Sequence, residues 1–338
     1  MQPGSNTRRA TVTGTIAAVL GIVLFAWYVR HAGAAEIWAM VAQVGWGLLL
    51  IVLLGGLRFA ARAAAWSVCI EPPDRLPFPR AFAAVVSGDA FGNLTPLGPI
   101  VGEPAKAAYV RDTVAIGPAL TALAIENLIY TLSVAAMIAA STAALVLSFN
   151  LPERVLYAGE LVTLLIVAAL GIAGLMLWRR PSIVSAALAR VLPSGGAVGA
   201  RVDRIRALEQ QIYTFASRRR AAALTVVAAE LAFHALGIAE IYATWWMMTG
   251  EAPALLLAFV LEGANRLVVV LFKIVPLRLG VDETSTGAFT QLLGYGPAPG
   301  VTLAIVRRAR VLVWIVAGTA LFVRRGLSPK RVLQGNEL

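Results

Sequence analysis

The chain has 338 residues, of which 59% are hydrophobic and 14% charged, with a mean hydropathy of +0.78, too apolar for a water-facing surface. One cysteine, Cys69, excludes an intramolecular disulfide, and two histidines without a second cysteine exclude a structural zinc set, so no metal or other cofactor is expected. The formal charge of +11 would suggest nucleic acid in a soluble chain, but the arginines lie between apolar runs, where topology and anionic headgroups account for them, and nucleic acid is set aside as a partner.

A bilayer crossing needs about 18–20 apolar residues, and the first run, 11–29, follows a polar N-terminus bearing Arg8 and Arg9. It lacks a clear small-residue cleavage site and further runs follow at once, so it is read as a retained first span rather than a signal peptide. The second span, 38–66, carries Arg58 and Arg62 four apart on one helical face. Snorkelling to the interface explains both without a function, and they stand as secondary candidates for headgroup contact.

The apolar stretch 80–112 is interrupted by Pro96-Leu97-Gly98-Pro99. Each half is too short to cross, so the stretch is expected to form a re-entrant helical hairpin, tolerated only where protein or water satisfies the freed backbone. Glu103 lies just beyond the break and Lys106 follows it. The next span, 115–148, places Glu126 and Asn127 about ten residues in, near the midplane at 1.5 Å per residue. Glu126 is expected to pair with Arg307 or Arg308, or to couple protons.

After a fourth span, 156–178, the segment 182–216 changes character. Val202, Ile205, Leu208, Ile212 and Phe215 recur at spacings of three and four with Arg201, Arg204 and Arg206 between them, the pattern of an amphipathic helix on a membrane surface. The fifth span, 219–248, contains Glu230, His234 and Glu240. A proton relay and simple pairing with an arginine are both open readings for Glu230 and His234.

A second interrupted stretch, 254–296, breaks between Pro276 and Gly280 and is read as a second re-entrant hairpin. Glu262 and Arg266, four apart, should neutralise each other within their helix. Lys273 and Arg278 flank the break and Glu283 follows it. Glu103 and Glu283 are either caps for the helices after their breaks or gates on a substrate path that couple protons. The last span, 299–323, carries Arg307 and Arg310 three apart on one face, suited to a phosphate because the guanidinium fork matches its oxygens.

The two interrupted modules match each other. At a constant offset of 180 positions, Pro96-Leu97 pairs with Pro276-Leu277, Val101 with Val281, Glu103 with Glu283 and Leu123-Ala124-Ile125 with Leu303-Ala304-Ile305. Arg8 and Arg9, Arg75 and Arg80, nine arginines from Arg179 to Arg220, and Arg324, Arg325, Lys330 and Arg331 fall on one side, leaving Arg30 and Arg154 on the other. By the positive-inside rule both termini are cytoplasmic, in the cytoplasmic (inner) membrane, and the two modules are inverted. The expected fold is an all-α integral membrane protein, a single domain over 1–338, with about six full transmembrane helices and two re-entrant hairpins as an inverted repeat: repeat 1 at 78–148, a cytoplasmic connector at 180–218 and repeat 2 at 254–325. No phosphate-binding loop, G-x-S-x-G or H-E-x-x-H motif is present, and no enzymatic activity is expected.

Ala63-Ala64-Ala65-Trp66, then Asn93-Leu94-Thr95-Pro96 through Gly102-Glu103 to Arg111, then Pro276-x-x-x-Gly280-Val281-x-Glu283 and Gly294-Tyr295-Gly296 before an arginine-bearing last span together resemble the lysylphosphatidylglycerol synthase transmembrane region family, also described as the flippase-like domain. The resemblance covers nearly the whole chain and implies lipid translocation. Its members move an aminoacylated phospholipid between leaflets, and stand-alone relatives are linked to hopanoid or isoprenoid lipids; Val44-Gly45-Trp46-Gly47 looks similar to the hopanoid-associated branch. Leu277 and Arg278 replace the paired glycines of the family's second motif, and Lys106 stands where an arginine is usual. No stretch resembles the aminoacyl-transfer half of the full-length synthases, so the chain is not expected to make lysyl-lipid.

The reading that unites these features is a translocase for an anionic or isoprenoid-type membrane lipid. Lys106, Lys273, Arg278, Arg307 and Arg310 would bind the headgroup, with Glu103, Glu283 and Glu126 gating or coupling protons. A membrane-embedded enzyme acting on a lipid headgroup and a scaffold for lipid-synthesis enzymes are the alternatives, and a homo-oligomer is the other protein association left open.

Overall fold

The structure is a computed structural model that describes residues 29–30, 33–94, 98–179, 186, 190, 196–273, 275 and 278–325. The proposed first span at 11–29, except its last residue, the tips at Pro96-Leu97 and Pro276-Leu277, and most of 180–195 lie outside the described residues. The described chain is helical. Helix α1 (Ala34–Val44) runs through a 3-10 turn at Gly45–Gly47 into α2 (Leu48–Cys69), and is followed by α3 (Phe78–Leu94), α4 (Gly98–Tyr109), α5 (Ile116–Ser148), α6 (Glu153–Arg179), α7 (Gly196–Arg218), α8 (Arg220–Thr249), α9 (Leu255–Leu271), α10 (Val281–Leu292) and α11 (Ala298–Arg324).

By length and composition four segments can cross a membrane: Ala34–Cys69, Ile116–Ser148, Glu153–Arg179 and Arg220–Thr249. The expected sixth span is present as the 27-residue α11, but Arg307, Arg308 and Arg310 in its middle keep it out of that set. Its central turns face protein rather than lipid: Arg307 and Arg310 are buried. Helix α6 is the opposite case. None of its residues is buried, and Leu161, Leu164, Leu165 and Ile172 point outward, an apolar surface that only a membrane would solvate favourably.

Both interrupted stretches break where the prolines and glycines predict. Each resolves into a 17-residue helix followed by a 12-residue helix, α3 then α4 and α9 then α10. A 12-residue helix reaches about 18 Å, short of the ~30 Å hydrocarbon core. The first pair is held face to face by glycine. A Cβ on Gly102 would come 2.9 Å from the Gly88 carbonyl oxygen, and one on Gly98 would come 2.7 Å from that of Gly92. Gly88-x-x-x-Gly92 and Gly98-x-x-x-Gly102 thus let two backbones touch in antiparallel register. Gly102→Ala should push α3 from α4 and cost about 1–3 kcal/mol, read as a lower thermal unfolding midpoint in detergent. In the second pair α9 packs on α5 and α8 as well as on α10, while α10 packs on α11.

Two apolar cores cap the bundle at opposite ends of its long helices. One joins Ala63 to Cys69 of α2, Ala84 and Val85 of α3, Leu123 of α5, Val226 of α8 and Phe322 of α11; the fully buried Trp66 also donates its indole N–H to the Ala119 carbonyl at 3.3 Å. The other joins Ile51 of α2, Ile241 to Met248 of α8, Leu257 to Leu261 of α9 and Leu303 and Val306 of α11. Helices α2, α8 and α11 therefore run from one core to the other, and their charged residues fall between. At the first core's end, Asp112 meets Arg80 and Arg325, and the Arg325 hydrogen bond holds the Asp112 carboxyl below the usual carboxylate range. Arg219, just before α8, donates to the Ile70 carbonyl at the same end. Of the predicted connector, α7 is helical, with Phe215 buried and Ile212 packed against this core.

Candidate functional site

Between the two cores, α2, α3, α4, α5, α8, α9, α10 and α11 line an open cavity of about 200 Å³. Eight cations line it: Arg58, Arg62, Lys106, Arg266, Arg278, Arg307, Arg308 and Arg310. Only two carboxylates share the wall, Asp89 and Asp282. So many charges at membrane depth would be prohibitive unpaired, and most cations are backed by an acid. Arg58 reaches Glu240 at 3.2 Å and Glu262 at 3.4 Å. Arg266 reaches Glu262 at 2.5 Å, Arg310 reaches Glu240 at 2.9 Å, and Lys106 reaches Glu103 at 2.7 Å. Arg308 reaches Glu283 at 2.6 Å and Arg278 reaches Asp282 at 3.2 Å.

Arg307 differs. Its Nη1 donates to the Asn265 side-chain oxygen at 2.7 Å, and among the described residues no carboxylate pairs with it. It is buried yet reaches the cavity wall, so an incoming anion meets a guanidinium without having to displace an acid. Arg62 forks onto Glu126 at 2.5 and 2.9 Å and stacks 3.9 Å over Tyr130. Arg58 lies 4.3 Å over Phe233. These stackings hold the guanidinium planes in fixed orientation.

Several sequence-based expectations change here. Glu126 pairs with Arg62, not with Arg307 or Arg308, because α2 presents Arg62 directly to α5. Arg58 and Arg62 do not snorkel: Arg58 is 5% exposed, since Glu240, Glu262 and Glu126 supply inside the bundle the solvation that an interface would otherwise provide. Glu103 does not cap α4; that helix starts at Gly98, and Glu103 pairs with Lys106 one turn on. Glu283 does cap, its Oε2 accepting the Gly280 N–H at 2.9 Å, while its other oxygen faces Arg308. The Glu262 and Arg266 pair is present, but Glu262 also serves Arg58 and Asn265. Lys273 is exposed at the end of α9 and does not line the cavity.

Arg278 has φ 47, a left-handed conformation that costs a side-chain-bearing residue about 1–2 kcal/mol. Its bond to Asp282 and the 3.4 Å bond its carbonyl accepts from Arg308 hold it there. Gly280, at φ 76, keeps the glycine that such geometry favours.

Among the described residues no arginine pairs with Glu230. It is 1% exposed, and neither carboxylate oxygen has a hydrogen-bond partner. His234, one turn along α8, meets Ser133 at 3.0 Å through Nε2, while its Nδ1 is unpartnered. A buried polar group without a partner costs about 1–3 kcal/mol, so Glu230→Leu should raise the thermal midpoint in detergent; a lower midpoint would mean the carboxyl is satisfied.

The residues missed by sequence reading are Asp89, Asn265 and Tyr130. Asp89 had a usable signal, being a carboxylate inside an apolar stretch with Asn93 four residues on; Asn93 donates to it at 2.9 Å. Asn265 and Tyr130 had none, because a neutral side chain on an apolar helix is ordinary until its neighbours are known.

Comparison with known proteins gives one match. The family model for the lysylphosphatidylglycerol synthase TM region matches residues 14–318. No curated protein and no solved structure is significantly similar to the chain.

Proposed function

The chain belongs to the lysylphosphatidylglycerol synthase transmembrane region family and is a multi-pass membrane protein, and from that premise we propose that it translocates a lipid with an anionic headgroup between the leaflets of the cytoplasmic membrane. The observation that carries this reading is the cavity wall: eight cations facing a space between two apolar cores, at the depth a headgroup must cross. A phosphate descending there exchanges its water for guanidinium forks, which offsets the desolvation cost that otherwise blocks its passage.

On this reading the two short helix pairs, α3–α4 and α9–α10, are re-entrant hairpins of an inverted repeat, each placing a glutamate beside the cavity. Glu103 holds Lys106 and Glu283 holds Arg308 while the site is empty. A headgroup that recruits either cation releases its glutamate, which can then take a proton or re-pair as the site turns to the other leaflet. Glu126 keeps Arg62 in place. The termini are cytoplasmic on this proposal, and the lipid is an anionic phospholipid or a phosphorylated isoprenoid.

The test is translocation in proteoliposomes. Purified protein is reconstituted with fluorescent phosphatidic acid or fluorescent phosphatidylcholine, and dithionite quenching measures the fraction reaching the outer leaflet. Protein-dependent movement should be faster for the acidic lipid. Equal rates for both, or chemical conversion of the probe recovered from the vesicles, would overturn the anionic translocase; conversion would favour the enzymatic alternative.

A further inference from the structure

A second groove lies along α5, α9 and α10, and a single described residue, Asn265, lines both it and the charged cavity. Where the first space is walled by cations, this one is apolar, formed by α5, α6, α9 and α10 through residues such as Leu145, Val162 and Val268. The same helices serve both spaces. Helix α10 presents Asp282 to the charged cavity and, one turn later, Thr286 to the groove; the Thr286 hydroxyl donates to the Asp282 carbonyl at 2.7 Å. Its outer wall, α6, has no buried residue, so the groove is bounded on one side by a helix facing lipid.

We infer that the groove is a built seat for the hydrocarbon chain of the lipid whose headgroup occupies the charged cavity. The inference rests on the headgroup reading above and deepens it: the substrate is bound at two places, phosphate against the cations and chain between α6 and α9, with Asn265 at the junction. Asn265 suits that position. Its oxygen accepts from Arg307 and its amide donates to Glu262 at 3.3 Å, so its polar atoms are committed to the charged side and its aliphatic portion is left to the apolar side. The chain therefore remains inside the protein's outline while the headgroup moves, in place of trailing freely in bulk lipid.

The experiment uses the full chain in phosphatidylcholine nanodiscs with two probes of identical acyl chains, each bearing a diazirine near the chain end, one phosphatidic acid and one phosphatidylcholine. After photolysis the labelled peptides are mapped by mass spectrometry. Labelling of the α5, α6 and α9 residues facing the groove by the phosphatidic acid probe should exceed that by the phosphatidylcholine probe about tenfold, the ratio that one charge-assisted hydrogen bond of about 1.5 kcal/mol at the headgroup supports. Labelling of the outward Leu161 and Leu165 should be equal for both. Ala158→Trp, at an exposed position on the groove's rim, should remove the excess while leaving binding of phosphatidic acid through Arg307 in place, as measured by native mass spectrometry. Equal groove labelling by the two probes, with binding still lost in Arg307→Gln, overturns the groove and leaves the headgroup reading standing. Phosphatidic acid binding that is indifferent to Arg307→Gln overturns the headgroup reading and the groove with it.

Discussion

Glu262→Leu is expected to remove most of the folded protein from a detergent extract, with a loss of about 3–5 kcal/mol in stability. Glu262 is 1% exposed and lies between Arg58 and Arg266, accepting from Asn265 as well. Its carboxylate also packs so tightly against Gly237 of α8 that a Cβ there would collide with it. Leucine restores the volume but leaves Arg266 buried without an acid and Arg58 with Glu240 alone. The cost therefore comes from the abandoned cations rather than from the missing contact. Fluorescence-detected size exclusion and thermal unfolding read the effect, and the pair Glu262→Leu with Arg266→Met should recover a large part of it, because the second change removes the stranded charge. Wild-type behaviour of the single variant would show that these guanidiniums are solvated from the cavity and that the acid is not needed to hold them.

Arg307→Gln is expected to act on transport instead of stability. Arg307 bonds to a neutral amide, so its replacement strands no carboxylate, and glutamine retains a donor for Asn265. The thermal midpoint should move little. A charge-assisted hydrogen bond to a phosphate contributes about 1.5–3 kcal/mol, so translocation of the acidic lipid should fall by roughly 10- to 150-fold while the slower movement of phosphatidylcholine stays unchanged. Lys273→Gln serves as the control: Lys273 is cationic and lies just before the second break, yet it is exposed and does not line the cavity, and its removal should leave transport at the wild-type rate. Equal losses in both variants would point to overall surface charge rather than to the cavity. No loss in Arg307→Gln would remove from the proposal the anion contact that requires no acid to be displaced.

Glu262 and Arg307 lie 45 positions apart in the chain; the first serves two arginines and the second bonds to a neutral amide, a difference invisible until the helices are packed. Sequence spacing does show that Glu262 and Arg266 share a helical face, because i and i+4 neighbours meet whatever else the helix touches. It does not show that α2 delivers Arg58 to the same carboxylate from 204 residues away. The same limit explains the misplaced partner of Glu126. Depth along a helix can be counted at a fixed rise per residue, which puts Glu126 near the midplane. Rotation about the axis and the choice of neighbour are set by packing, and packing brought Arg62 to Glu126 instead.

What the sequence by itself determined is therefore what local chemistry and the bilayer dictate: a membrane protein from its apolar runs, helix breaks at Pro96–Pro99 and Pro276–Gly280, the duplicated module, and the family. Proline's missing N–H and the length of the hydrocarbon core act on each segment without reference to the others. Only the tertiary structure decided which charges are neutralised, that among the described residues no carboxylate pairs with Arg307, that Lys273 does not line the cavity, and that Asn265 lines both a charged cavity and an apolar groove. Those facts depend on the contacts of α2, α8, α9 and α11 with one another, and in a low-dielectric interior the energy of a charge is set by the few groups within hydrogen-bond reach, which no single helix contains.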